Sequence, residues 1–250
     1  MNDRIQKYIE AFREYVSNYD FSQDKIRLKY EHTIRVMELS RKYAKLLGFS
    51  EEDVELATLI GLLHDIGRFE QVRVYDSFDD LNTVDHADYS VEQLFNKGEI
   101  KRFTTREDWY PILAFAIRNH NKLTIKETDN ERMLKHAKLI RDTDKMDIMV
   151  VMIGRVRVKD TSISPKVLEA TKNHECANRK YAVTTSDRVA IYYGFAFDIN
   201  YDVVLKEYKK NFTTFHESLD DKEKFQELYE DIIKYIDERI DKYDGNRNEI

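Results

Sequence analysis

The chain has 250 residues, enough to bury a substantial core as one large domain or two small ones. With 42% hydrophobic and 35% charged residues but only two prolines and seven glycines, the composition excludes a turn-rich β architecture and favours an all-α one. The net charge of −6, built from many charges of both signs, excludes a general basic footprint, so no nucleic-acid partner is expected.

The single cysteine, Cys176, cannot form an internal disulfide. The opening stretch MNDRIQKYIEAFREYV carries charges where a secretory signal has its apolar segment. The chain contains no run of roughly 18 apolar residues, the length needed to span a bilayer. These features lead us to expect a cytoplasmic protein without a membrane partner.

In chain order, Ile5, Tyr8, Ile9, Phe12 and Val16 recur at helical spacing, predicting a first helix over 2–16. A second is expected from Asp24 to Leu47, with His32, Val36, Leu39 and Tyr43 on one face and Gly48 closing it. Ser50, followed three positions on by Asp53, reads as the cap of a third helix carrying Val54, Ala57, Ile60 and Leu63 to the dipeptide His64-Asp65. The segment 68–84 lacks a long helical pattern and is expected to be a covering loop, its Phe69, Tyr75 and Phe78 anchoring it to the core. Helical spacing resumes over 86–95, 108–120 and 131–151, and Pro111 fits an opening turn.

Beyond Gly154 the stretch VRVKDTSISPKV reads as a connector, or as a short extended piece leading into a helix. Strongly aromatic helices are then expected over 183–197 and 201–212, the run YYGFAFDINY serving in helix packing. A last helix, with Ser218 as N-cap, has Phe225, Leu228, Ile232, Tyr235 and Ile236 as its buried stripe, a seam that a second copy could share in a homo-oligomer. No repeat or low-complexity linker divides the chain. A single domain over 1–250 is therefore expected, with a core over 24–152, a helical extension over 153–243 and a fraying tail DGNRNEI.

Chemistry concentrates in four histidines and two aspartates. His32 lies in YEHTIRV, His64 and Asp65 in LLHDIG, His86 in VDHADYS, His120 in IRNHNK, and an aspartate follows in LIRDTDKMD. Four imidazoles and two carboxylates are enough for two divalent ions sharing a bridging carboxylate. Adjacent helical residues point about 100° apart, so His64 can reach one ion while Asp65 lies between both. Helices of a bundle can bring such distant ligands together. His136, flanked by Lys135 and Lys138, reads as a surface residue, and His174 and His216 as structural or exposed.

The order H…HD…H…H…D resembles the HD-domain superfamily of metal-dependent phosphohydrolases, and its two intervening histidines match the subset with dinuclear sites, which includes the HD-GYP phosphodiesterases. The stretches HDIGRFEQ and VDHADYSVEQLF are closer still to a group of bacterial HD proteins of unassigned activity. The resemblance covers 32–149, and the GYP signature is missing, which speaks against cyclic dinucleotides as substrates. It implies that His32, His64 and Asp144 hold one ion, that His86 and His120 hold the other, and that Asp65 bridges them. Asp144 is preferred to Asp142 because the family pattern is matched by TDKM.

The implied activity is hydrolysis of a phosphomonoester or phosphodiester, a nucleotide by family habit, by a metal-bound hydroxide. Mixed imidazole and carboxylate ligands accept Mn, Fe, Co, Ni or Zn. Two ions about 3.5–4 Å apart would activate water and offset phosphoryl charge without a serine or cysteine nucleophile, and activity is expected to fall below about pH 6 as unbound imidazoles protonate. Arg68, beside the HD turn, is a candidate catalytic and phosphate-binding residue together with Asp65, and Arg118, Lys122 and Lys145 are candidate phosphate contacts. Asp85 and Asp88 flank His86 as candidate supports or as exposed carboxylates. The same ligand order is similar to that of the HD-fold oxygenases, such as the myo-inositol oxygenase family. Two further readings are a mononuclear enzyme, in which His86 and His120 face substrate, and a non-catalytic binding or regulatory module.

Overall fold

A computed structural model describes residues 3–160 and 162–248, side chains included except for 246–248. The fold is all-α, and no strand occurs among the described residues. No helix there is long and apolar enough to cross a membrane. The chain forms two compact units, residues 1–144 and 145–250.

The first unit contains α1 (Asp3–Val16), α2 (Asp24–Leu46), α3 (Glu51–Leu63), α4 (Ile66–Tyr75), α5 (His86–Val91), α6 (Tyr110–Asn119) and most of α7 (Glu131–Met152). Hydrophobic burial drives its assembly. Phe12, Val36, Leu59, Leu62, Ile66, Phe69, Leu113 and Ile117 are completely or almost completely buried in one cluster. The expected caps form: Ser50 Oγ accepts from Asp53 N at 3.2 Å, and Gly48 closes α2 with a φ of +70°. Helix α3 lacks a polar stripe because nearly all of it is buried, so it packs on neighbours around its circumference.

Segment 68–84 differs from its expected loop structure over its first half. Helix α4 spans 66–75, and only the following residues form a loop. Ile66, Phe69 and Val72 form one buried edge, while Gly67, Arg68 and Gln71 are buried too. With polar residues on the inside, amphipathic contrast vanishes and the period is hidden.

His136 is likewise interior and not on the surface: it is 1% exposed. Its Nε2 lies 3.0 Å from Asp53 Oδ1, and Asp53 also receives Arg132 and Lys135 at 2.7 and 2.6 Å. The flanking lysines misled because Lys135 faces a buried carboxylate. Burial lowers the imidazole to about 4 from its ordinary 6.5, with Lys135 and Arg132 pushing the same way and Asp53 opposing. The neutral ring therefore contributes stability fully above about pH 6.5, and that contribution is lost as pH falls toward about 4. The melting temperature of wild type should consequently fall more than that of His136→Gln between about pH 7.5 and about pH 5; parallel thermal-melt curves would remove this role from His136.

The second unit contains the end of α7 and then α8 (Pro165–Lys172), α9 (Thr185–Gly194), α10 (Asp202–Glu217) and α11 (Gln226–Asn248). Its core is aromatic, as expected: Tyr193, Tyr208, Phe212, Phe215 and Phe225 are buried with Ile232 and Ile236. Ser218 is not the N-cap of the last helix. It ends α10, donating its hydroxyl to Phe215 O at 2.7 Å and accepting from Gly154 N at 3.0 Å, and a short 3₁₀ turn precedes α11. His216 is buried, with Nδ1 2.5 Å from the Tyr193 hydroxyl, whereas His174 lies near the surface, 2.9 Å from Asp231. Helix α11 continues through Asp244–Asn248, the first part of the segment expected to fray; the last two residues of that segment lie outside the described residues.

Candidate metal centre

Asp65 stands at the junction of two helices, where α3 ends at Leu63 and α4 begins at Ile66. An aspartate at an N-cap ordinarily accepts hydrogen bonds from the first free backbone N–H groups. Asp65 makes no such bond. Its two oxygens instead face different partners. Oδ2 lies 3.6 Å from His32 Nε2 and 3.6 Å from His64 Nε2, and Oδ1 lies 3.3 Å from His86 Nε2 and 3.6 Å from His120 Nε2.

Asp85, which caps α5, behaves in the ordinary way: its Oδ1 accepts from Ala87 N and Asp88 N at 3.0 and 3.1 Å. The contrast separates a carboxylate engaged in folding from one directed at a site.

On the Oδ2 side, Asp144 Oδ1 lies 3.2 Å from His32 Nε2 and 3.6 Å from His64 Nε2. His32, His64 and Asp144 form one buried group able to hold an ion, and His64, Asp65 and His120 form another. Asp142, the alternative to Asp144, belongs to neither group; nor does His86, whose Nε2 lies beside the second group, 3.3 Å from Asp65 Oδ1 and 2.9 Å from His120 Nε2. All six residues expected to be ligands are thus brought together, four helices and the α3–α4 junction each contributing.

The imidazole tautomers follow from their outer nitrogens. His64 Nδ1 lies 2.8 Å from Gly61 O, and His120 Nδ1 lies 2.6 Å from Ile117 O. A carbonyl only accepts, so each Nδ1 carries the proton and each Nε2 of a neutral ring offers a lone pair to the centre. His86 Nδ1 is fixed in the same sense by Asp80 Oδ2 at 2.5 Å.

Burial, aided by the positive charge of Arg68, brings the His86 imidazole down to about 3, and burial also lowers that of His120. Both rings are therefore neutral at pH 7. Their Nε2 atoms nevertheless face each other at 2.9 Å. Two lone pairs so close repel, and a cation between or beside them converts the repulsion into attraction.

The carboxylates are ionised. Burial opposes the charge on Asp65, but the Lys29 ammonium 2.6 Å away outweighs it and holds the group well below the ordinary carboxylate range. For Asp144 burial is outweighed by the adjacent imidazoles of His32 and His64, which hold the group well below the ordinary carboxylate range. Burial also opposes a charge on His64, yet Asp65 and Asp144 raise its pKa. Among the described residues, buried His64 Nε2 and Asp65 Oδ1 have no hydrogen-bond partner. A buried polar atom without a partner is costly, and it is the expected state of a ligand atom directed at an ion. The donor set therefore fits divalent metal.

The expected phosphate contacts are placed differently. Arg68 is buried, with Nη1 bonded to Gln71 Oε1, Phe78 O and Asp80 Oδ1 at 2.6, 2.9 and 2.7 Å and Nε 3.8 Å from Asp65 Oδ1. It joins the centre to the loop after α4. Arg118 and Lys122 are turned outward to Asp88 at 3.0 and 2.7 Å, and Lys122 also reaches Asp85 at 2.7 Å. Lys145 belongs to the second unit, where it pairs with Asp198 at 2.7 Å.

Two participants escaped the sequence reading. Lys29 Nζ lies 2.6 Å from Asp65 Oδ2, and Asp80 connects His86 to Arg68. Lys29 stands one helical turn before His32 on α2, a spacing that places both on one face. Asp80 carried no signal separating it from Asp76 and Asp79. Asp85 and Asp88, the candidate supports of His86, instead cap α5 and pair with surface cations.

Residues 30–149 match the HD domain family. All six convergent residues, on or at the ends of helices α2 to α7, fall within that span. No curated protein and no solved structure matches the chain.

Proposed function

We propose that the chain is a metal-dependent phosphohydrolase acting on a phosphomonoester or phosphodiester, with a nucleotide as the preferred class. The HD match supports the hydrolase class. The division of Asp65 between two imidazole pairs supports a dinuclear centre within it. In this reading His32, His64 and Asp144 hold one ion, His86 and His120 the other, and Asp65 bridges them.

Divalent ions bound there would lower the pKa of coordinated water and offset charge on a phosphoryl group. The protein's part is orientation. Gly61 O, Ile117 O and Asp80 fix three imidazoles with Nε2 inward, so little reorganisation accompanies binding. Lys29 balances the buried charge of Asp65 and, with Arg68, flanks the Phe78 ring at 5.4 and 5.5 Å. These two cations beside Phe78 are the candidate source of positive charge for a phosphate at the centre. The outward pairing of Arg118 and Lys122 ranks them below Lys29 and Arg68 as phosphate contacts.

The test is metal content per chain, by elemental analysis of protein purified without added metal or chelator. About two equivalents in wild type falling toward one in His86→Ala is expected, with phosphate released from a generic phosphoester only by the loaded protein. One equivalent in both would favour a mononuclear enzyme. Iron together with dioxygen uptake would favour the oxygenase reading.

A further inference from the structure

The second unit holds a cluster of cations that the metal centre does not use. A cleft of about 190 Å³ is lined by Arg155, Arg157, Arg188, Thr185 and Tyr192, with Met152 at its wall. Elsewhere arginines are generally matched with carboxylates: Arg4 with Glu55, Arg73 with Glu70, Arg132 with Glu52 and Arg239 with Asp202. Among the described residues, no carboxylate lies within ion-pair distance of Arg155, Arg157 or Arg188. In a chain with 47 acidic and 41 basic residues, three unmatched guanidinium groups around one cleft run against the overall balance.

The surroundings define what they would bind. Arg157 is steadied by hydrogen bonds from Nη1 to Gly154 O and Val156 O at 3.2 and 3.3 Å, leaving its other donors available. The Tyr192 ring is fixed against Phe195 and Phe215, with centroids 5.7 and 5.9 Å away. Burial keeps its phenol protonated, against the opposing pull of Arg179 and Arg188, so it remains a hydrogen-bond donor. Thr185 N and Oγ1 are already tied to Asp160 at 2.6 Å each. The helix end thus has its counter-charge, and attraction for an anion rests on the arginines.

We propose that this cleft is an anion site for a diphosphate group, either free pyrophosphate or the polyphosphate tail of a nucleotide whose nucleoside remains in solvent. Guanidinium forks match adjacent phosphate oxygens bidentately. The volume is below the roughly 300 Å³ at which pockets begin to enclose drug-sized ligands, so a small anion fits where a whole nucleotide does not. The site is distinct from the metal centre, since every lining residue follows Asp144.

Isothermal titration of pyrophosphate into metal-stripped full-length protein tests the assignment, with orthophosphate and ADP titrated in parallel. Saturable binding of one pyrophosphate is expected, weakening about tenfold or more in Arg188→Gln and further in Arg155→Gln/Arg188→Gln, and weakening with added salt. Arg188→Lys should recover only part of the loss. These arginines are exposed and make no ion pair, so circular dichroism and metal content of the variants should match wild type. ADP binding as tightly as pyrophosphate would identify a nucleotide tail as a source, and a preference for pyrophosphate the free anion. Absence of pyrophosphate binding, or equal binding by wild type and the double variant, would overturn the site.

Discussion

Asp65→Ala is expected to lower phosphoester hydrolysis by about three orders of magnitude, equivalent to about 4 kcal/mol of transition-state stabilisation, and to reduce bound metal below one equivalent per chain. The size follows from position. Asp65 is the only one of the six convergent residues within 3.6 Å of all four imidazoles. Removing it deprives both halves of their shared negative charge while leaving the half-buried Lys29 beside them without its 2.6 Å partner. An uncompensated cation at that place repels an incoming divalent ion as well as losing its own stabilisation.

Asp65→Asn separates charge from shape. The amide fills the same space but cannot supply a bridging anion, so metal content should fall nearly as far, with less loss of melting temperature than in Asp65→Ala. Rates with a generic phosphoester and elemental analysis of the same preparations check both parts. Full metal content in Asp65→Ala would remove Asp65 as the bridge and return the centre to two independent sites.

The six convergent residues were legible because their chemistry is scarce. Few residue types bind divalent metal, and their order along the chain is preserved whatever the helices between them do. Supporting residues carry no such mark. Asp80 is one of four aspartates in the ten-residue loop between α4 and α5, and only the folded position of that loop places it 2.5 Å from His86 Nδ1. Lys29 resembles every other lysine of an exposed helix until α2 packs beside the α3–α4 junction.

Helix α4 was hidden for a related reason. Periodicity reports contrast between faces, and a helix that buries Arg68 and Gln71 beside Phe69 has little. His136 failed in the opposite direction, its charged sequence neighbours implying solvent where the fold supplies Asp53. In each case the signal lay in a partner distant along the chain, which local patterning does not reach.

Gly67→Ala should be damaging out of proportion to one methyl group, and Gly67 is a position where sequence offers only the residue's smallness. Helices α4 and α5 approach so closely that a Cβ there would stand 2.5 Å from Ser90 N and 2.9 Å from His86 O, both backbone atoms. Gly67 N also donates to Ser90 Oγ at 2.9 Å. Backbone cannot rotate away as a side chain can, so α5 must shift. Overpacking of this kind costs about 1–3 kcal/mol, or roughly 3–10 °C in melting temperature at this size. Helix α5 begins at His86, so the same shift draws that imidazole away from Asp65 Oδ1, where it now lies at 3.3 Å. Metal content should then fall toward one equivalent, with the His32, His64 and Asp144 group retained. Gly194→Ala provides the control, because a Cβ there meets nothing closer than Glu175 O at 3.5 Å, an ordinary contact. Melting curves and metal analysis of the two variants side by side distinguish a specific helix approach from general intolerance of alanine: equal, small effects would show that α5 accommodates the methyl group and that His86 does not depend on Gly67 for its position.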